Sequence, residues 1–298
     1  MAASVTVRVP ASSANLGPGF DSLGIALDLT GDVRLSLLDA PAPHPADRGQ
    51  SMALTAARAV YMHAGNPAPV GLQVELRSDI PAGRGLGASA VLRVGAVMAA
   101  NRMLGDRFSM DEALVIASEL EGHADNAAPA MFGGFQVVVW DEGVLTRVSV
   151  PLPPELRAVL LIPDLDMPTN ESRRLLPGEL TRQAAVHNIG RAALLVAALA
   201  TGRLDALRVA TQDVLHQPGR AQLYPALYDV IRAAIDAGAL CAYLSGGGSS
   251  VLALTTDDPE GIGGAMLAAS KRRGTTGSYI VTLPRSCGAE VVEDTSRP

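Results

Sequence analysis

The chain reads as an α+β fold, on three observations. Residues alternate with the period of a half-buried strand at Val5, Val7 and Val9 and again at Leu72, Val74 and Leu76. Helical apolar patterns run from Ala88 to Leu104 and from Arg182 to Thr201. These elements do not alternate strictly as βα units, which argues against a doubly wound parallel sheet. Pro151, Pro153 and Pro154 break the chain of 298 residues into two units of ordinary domain size, 1–152 and 153–298.

In order along the chain, the first strand covers Val5 to Val9 and is expected to end at Pro10. Val33 to Leu38 is a second strand, and the Pro-, Ala- and Asp-rich stretch from residue 39 to 50 is a loop. Met52 to His63 reads as a helix closed by Gly65. Leu72 to Leu76 is a strand that feeds a glycine-rich loop, and a helix follows from Ala88 to Leu104. Ser109 with Glu112 forms a capping box that opens a helix from Met110 to Glu121. A loop from His123 to Asn126 leads to a Gly133–Gly134 turn, a strand from Phe135 to Trp140 and its hairpin partner from Val144 to Val150. The second unit begins with a strand, Ala158 to Ile162. Helices are expected at Arg182 to Thr201, Leu204 to Leu215 and Pro225 to Ala237. A hairpin follows (Ala239 to Leu244 with Val251 to Leu254), then a helix from Gly261 to Ser270 and a strand from Tyr279 to Leu283.

Composition narrows the function. With 48% hydrophobic but only 3% aromatic residues, the core must be built from Ala, Val, Leu and Ile. A net charge of −6 and the absence of a basic run exclude nucleic acid and anionic membrane as expected partners. The longest apolar stretch, Ala192 to Ala200, falls short of the roughly 18 residues a bilayer span needs, so no membrane is expected. Nor does the N-terminus show a basic segment followed by an apolar one. Cys241 and Cys287 cannot make a disulfide framework, which points to a reduced, cytoplasmic setting.

The chemistry concentrates in short segments. In PAGRGLGASA (Pro81, Ala82, Gly83, Arg84, Gly85, Leu86, Gly87, Ala88, Ser89, Ala90), three glycines lie within five residues just before a helix. Glycine brings a ligand close to main-chain amides, and the helix start adds orphan N–H groups and a positive dipole end. Together these make a phosphate cradle. Asn15 and Asp21, in a turn between strands, can bind a hydroxyl and an ammonium. Glu119, Glu121, His123, Asp125 and Asn126 gather where a helix ends. Thr169 and Arg173, then His216 and Arg220, lie in two further polar segments, and SGGGSS at 245–250 is a second glycine loop.

These segments resemble, in the same order, those of the homoserine kinases in the GHMP kinase superfamily. The matches are VPASSANLGPGFD (Val9 to Asp21), PAGRGLGASA, EGHADNAAPAMFGG (Glu121 to Gly134), Thr169 to Pro177, and HQPGRAQLYP (His216 to Pro225). The resemblance implies an N-terminal half like ribosomal protein S5 domain 2, a ferredoxin-like C-terminal half, and a site in the cleft between them. It also implies ATP-dependent phosphorylation of the L-homoserine side-chain hydroxyl, a step toward threonine. By similarity the loop from Pro81 to Ala90 holds ATP, and Ser89 and Glu119 hold Mg²⁺, with Glu121 as the competing ligand. Arg173 and Arg220 meet the substrate carboxylate and Asp21 its ammonium. Asn15 and Asn126 orient the hydroxyl, Asp125 supports that turn, and Thr169 lies near the transferring phosphate. Relatives are commonly homodimers.

The chain departs from the family pattern at Ala88, where a serine is usual, at Gly219, where a tyrosine is usual, and at SGGGSS. A short loop ending at Gln50–Ser51 replaces a longer segment on the adenine side. Two other readings therefore stay open: a GHMP kinase for another hydroxylated amino acid such as threonine, and a nucleotide-binding relative with little catalysis.

Overall fold

The computed structural model describes residues 3–296, and the side chains of residues 169 and 170 lie outside the described set. The first unit contains β1 (Ala3–Ala14), β2 (Leu23–Leu37), α1 (Arg48–His63), β3 (Leu72–Ser78), α2 (Ala88–Met103), α3 (Met110–Glu121), α4 (Ala127–Phe132), β4 (Phe135–Asp141) and β5 (Val144–Val150). The second contains β6 (Arg157–Pro163), α5 (Thr169–Arg174), α6 (Arg182–Thr201), a 3-10 turn at Leu204–Ala206, α7 (Leu207–Ala210), α8 (Gln217–Arg220), α9 (Leu227–Asp236), β7 (Cys241–Leu244), β8 (Val251–Thr255), α10 (Pro259–Arg272) and β9 (Gly277–Thr282). A last strand, β10 (Glu290–Asp294), follows. The architecture is α+β, as the sequence predicts.

The larger sheet runs β10-β1-β2-β4-β5, with β3 also on β2. At 15 residues, β2 is long enough to serve two neighbours on one edge. Its start pairs with β4 through Leu23, Gly24 and Ile25, and its end pairs with β3 from Gly31 to Leu37. The smaller sheet runs β7-β8-β6-β9 and is covered by α9 and α10. Side chains alternate across a strand, and β6 uses both faces. Ala158, Leu160 and Ile162 join the larger core under the first sheet, while Val159 and Leu161 join the smaller core under α9 and α10. That double burial explains why β6 reads as an unbroken apolar run.

Several expectations change. Pro10 does not end β1; the register slips there, from Pro10 opposite Thr30 to Ala11 opposite Leu27. A proline lacks the ladder donor but is tolerated at such an irregularity. The helix expected from Leu204 to Leu215 stops at Ala210, because the Asp213 carboxylate captures the amides of Leu215, His216 and Gln217. The final strand leaves its own half: β10 pairs antiparallel with β1. Residues 290–294 thus belong to the first sheet although they follow residue 153. The 20-residue α6 is long and apolar enough, by length and composition, to cross a bilayer. Here it is a surface helix, sealed to the larger core through Leu195, Ala198 and Leu199.

Candidate active site

Between the two sheets lies a cleft of about 480 Å³, lined by the glycine loop, the ends of α3 and α5, and the second glycine loop. Its floor is the turn into α2. Gly83, Gly85 and Gly87 all adopt positive φ, between 69° and 74°. At two of them a side chain has no room: a Cβ on Gly85 would meet the Ser245 carbonyl oxygen at 2.0 Å, and one on Gly87 would meet Ser12 Oγ at 2.1 Å. Gly87 is the N-cap of α2 and supplies no side-chain cap. The helix thus begins with uncapped amides beside the cleft. The second loop braces the first: Ser245 Oγ donates to the Gly85 carbonyl (2.7 Å) and the Ser250 amide to that of Arg84 (3.1 Å). Of the ten loop residues expected to hold ATP, Ala82, Gly83, Gly85, Leu86, Gly87, Ala88 and Ser89 line the cleft; Pro81, Arg84 and Ala90 do not. The Arg84 side chain pairs with Asp166, and Ala90 is buried in the first unit.

Past the loop, Ser89 Oγ donates to Glu121 Oε1, and Arg93 pairs with the same carboxylate. Burial, seconded by Arg48, lowers the Arg93 pKa. Glu121 lines the cleft with its side chain 8% exposed. Glu119 is the correction. Its side chain is 52% exposed and meets His63 Nε2 at 3.4 Å, outside the cleft lining. Residues two apart on a helix point in widely different directions. Among the described residues, no group of three or more His, Cys, Asp or Glu gathers as a ligand set. Ser89 and Glu121 instead supply two hard oxygen donors next to a phosphate cradle. That set fits Mg²⁺, which keeps water and phosphate oxygens among its ligands.

Another part of the lining is built from charged side chains. Arg173 grips Asp21 with two hydrogen bonds, 2.8 and 3.0 Å. Asn15 and Asp21 both adopt positive φ, and the Asn15 side chain holds their turn: Oδ1 accepts from the Asp21 amide (3.0 Å) and Nδ2 donates to the Gly246 carbonyl (2.9 Å). Arg220 is 2% exposed and also donates to the Gly246 carbonyl. Burial, then the Arg173 charge, brings its pKa down to about 10 against the opposing pull of Asp21, Asp213 and Asp125. The Phe20 ring lies 5.4 Å from both guanidinium groups. Asp125 is buried and accepts from His123 Nδ1 (2.6 Å), and Ser12 Oγ donates to Asn126 Oδ1 (2.9 Å).

The fold thus brings Asn15, Asp21, Ser89, Asp125, Asn126, Arg173 and Arg220 to one cleft. The side chain of Thr169 lies outside the described residues. His123, Arg48 and Met52 line the cleft without having been assigned a role from the sequence. For His123 the signal was present, two residues before an aspartate in a turn. For Arg48 and Met52 there was none, because only the packing of α1 against α2 carries them there.

The sequence matches the family models for the GHMP kinases N terminal domain at residues 51–134 and for GHMP kinases C terminal at residues 195–269. It is 42% identical over 295 residues to the homoserine kinase of Moorella thermoacetica, covering 96% of this chain and 99% of that protein. The homoserine kinase of Gloeobacter violaceus is 43% identical over 261 residues, covering 84% of this chain and 87% of that protein. The crystal structure of homoserine kinase from Cytophaga hutchinsonii superposes with a TM-score of 0.87 at 31% identity, over 97% of each chain.

Proposed function

The chain belongs to the homoserine kinases of the GHMP kinase family, and we propose that its cleft transfers the γ-phosphoryl group of ATP to the side-chain hydroxyl of L-homoserine. The product, O-phospho-L-homoserine, leads toward threonine. The observation that carries this reading is that a glycine cradle, two arginines and an aspartate line one cleft.

Phosphoryl transfer depends on positioning and charge neutralisation more than on covalent help. Amides of the Ala82 to Ser89 turn and of the first turn of α2 bind the triphosphate. Ser89 and Glu121 hold Mg²⁺, which when bound neutralises charge on the phosphates. Arg220 and Arg173 bind the acceptor carboxylate, since guanidinium forks match carboxylates. Asp21 binds the ammonium. The existing Asp21–Arg173 pair prefigures this: a zwitterion offers each partner the opposite charge it already holds. Asn126 orients the hydroxyl, Asp125 fixes that turn, and Asn15 braces Asp21. No protein base is assigned, because a hydroxyl proton can leave late, toward the phosphoryl oxygens, in a loose transition state.

The reading sets the reaction in the cytoplasm, which suits two free thiols, Cys241 and Cys287. It also makes the enzyme a homodimer. The exposed apolar side chains of α6, Val186 at 64% and Ile189 at 69%, are the face for the second copy. Sedimentation at micromolar concentration distinguishes dimer from monomer. The activity itself is tested by coupled ADP release over L-homoserine, L-threonine and L-serine. Turnover strongest with L-homoserine supports the assignment; turnover strongest with another acceptor, or none, overturns it.

A further inference from the structure

The Arg220 guanidinium has only part of its hydrogen-bonding capacity committed. Nη1 donates to the Gly246 carbonyl and to His216 Nδ1, each at 2.9 Å. Those two bonds use both Nη1 hydrogens. Nε is buried without a partner, and no bond to Nη2 is found among the described residues. The free edge is therefore the one formed by Nε and Nη2, which matches a carboxylate in a two-point contact.

His216 decides which edge is free. It is fully buried, and its Nε2 lies 2.8 Å from the Gly17 carbonyl. A carbonyl only accepts, so the proton is on Nε2 and Nδ1 presents a lone pair to Arg220. Burial holds the imidazole neutral: against the pull of Asp213, and with help from Arg220, the pKa falls to about 4. The ring is set in turn by Asp213, whose carboxylate accepts from the amides of Leu215, His216 and Gln217 and from Asn188 Nδ2 on α6. At full burial His216 is no surface contact for a second copy.

We infer that His216 is a positioning residue for acceptor specificity: its Nδ1 fixes Nη1 of Arg220 and so reserves the Nε–Nη2 edge for the carboxylate of an α-amino acid. The inference rests on Arg220 as the carboxylate's partner and adds the group that aims it.

The test uses two substitutions that divide the imidazole's roles. His216→Asn keeps an acceptor near Nδ1 and loses the donor to Gly17; His216→Gln keeps a donor near Nε2 and loses the acceptor. Acceptors are L-homoserine and 3-amino-1-propanol, the same alcohol without its carboxylate. H216Q is expected to raise KM for L-homoserine by about 10–100-fold, the scale of a hydrogen bond to a charged group. H216N should restore most of that loss. Neither should change KM for ATP, and the H216Q penalty should vanish with 3-amino-1-propanol. Equal penalties for both variants, or a parallel loss with 3-amino-1-propanol, would make His216 a packing residue and overturn the inference. Arg220→Ala on the same two acceptors separates the two levels. If it does not discriminate between them, the carboxylate assignment fails; if it does while H216Q does not, only the role of His216 fails. Should H216Q not fold, ¹⁵N-histidine NMR of the unmodified protein decides. A neutral Nε2–H ring with a hydrogen-bonded Nδ1 supports the inference, and an Nδ1–H tautomer or an imidazolium at pH 7 overturns it.

Discussion

Glu119 and Glu121 show how far a single side chain's role depends on helix phase. Both belong to the last turn of α3, and only Glu121 turns into the cleft toward Ser89. Glu121→Gln is expected to depress kcat by 10²-fold or more (an order-of-magnitude figure for lost charge stabilisation) and to raise the Mg²⁺ concentration needed for half-maximal rate. Glu119→Gln should change neither, and Mg²⁺ titrations of the two variants side by side check the pair. His216 supplies a second prediction at this scale. Its folded pKa lies near 4, below the ordinary 6.5. The unfolded chain therefore binds the proton first as pH falls. The contribution is fully present above pH 6.5 and is lost toward pH 4, by roughly 2–3 kcal/mol. Urea melts at pH 7, 5.5 and 4.5 should show a slope that is reduced in His216→Asn. Asn15 and Asp21 were legible from their turn chemistry, whereas Arg173 and Arg220 were named for the cleft only through the family resemblance, since an arginine in a short polar segment reads equally as a surface ion pair. The sequence favoured Glu119 over Glu121, since the side-chain direction at the end of a helix is set by tertiary packing that the sequence does not display. It could not show that Asp21 and Arg173, 152 residues apart, pair with one another.

Elements governed by local chemistry were the legible ones. The Ser109–Glu112 capping box is present in both directions, and α6 begins and ends where its pattern does. Elements governed by distant partners were not. The start of β2 is a strand because β1 and β4 flank it. The short helices α5 and α8 bear arginines that the cleft requires, but lack the length to show a period. Two substitutions contrast the local with the distant. Ser109→Ala removes only a cap, for a loss of about 1 kcal/mol and a fall in Tm of about 2–4 °C, with kcat and both KM values unchanged. Gly87→Ala forces a side chain into positive φ and against Ser12 Oγ. Thermal melts should show a loss of about 1–2 kcal/mol from the backbone alone. ATP binding by calorimetry should weaken by at least about tenfold, because the turn is the cradle itself.

At the level of the whole molecule, the two units meet across a cleft to which the first contributes the glycine loop, Asn15, Asp21, Glu121 and Asn126 and the second Arg173, Arg220 and Gly246, and residues 285–294 tie them. After β9 the backbone returns to the first sheet: Arg285 N donates to the Ala26 carbonyl (2.9 Å), and β10 lies along β1. Asp294 holds Arg102 of α2 at 2.7 Å. Its pKa drops to about 2, mainly through bonds from Ser296 and Arg102. Removing residues 290–298 would expose the β1 edge and leave Arg102 with Asp106 alone. The truncated chain is expected to lose solubility and to melt earlier, which centrifugation of lysates and differential scanning calorimetry would show; an unchanged Tm would count against a structural role for the strand.

That last strand also bears on biosynthesis. A nascent chain has the other strands of its leading sheet in hand long before Glu290 is translated, and domains ordinarily condense from the N-terminus while synthesis proceeds. Here β1 stays unpaired along one side until Glu290 to Asp294 have been made. Completion of the first sheet is thereby deferred until that strand is synthesised, and a polypeptide that stops short of Glu290 keeps an open flank.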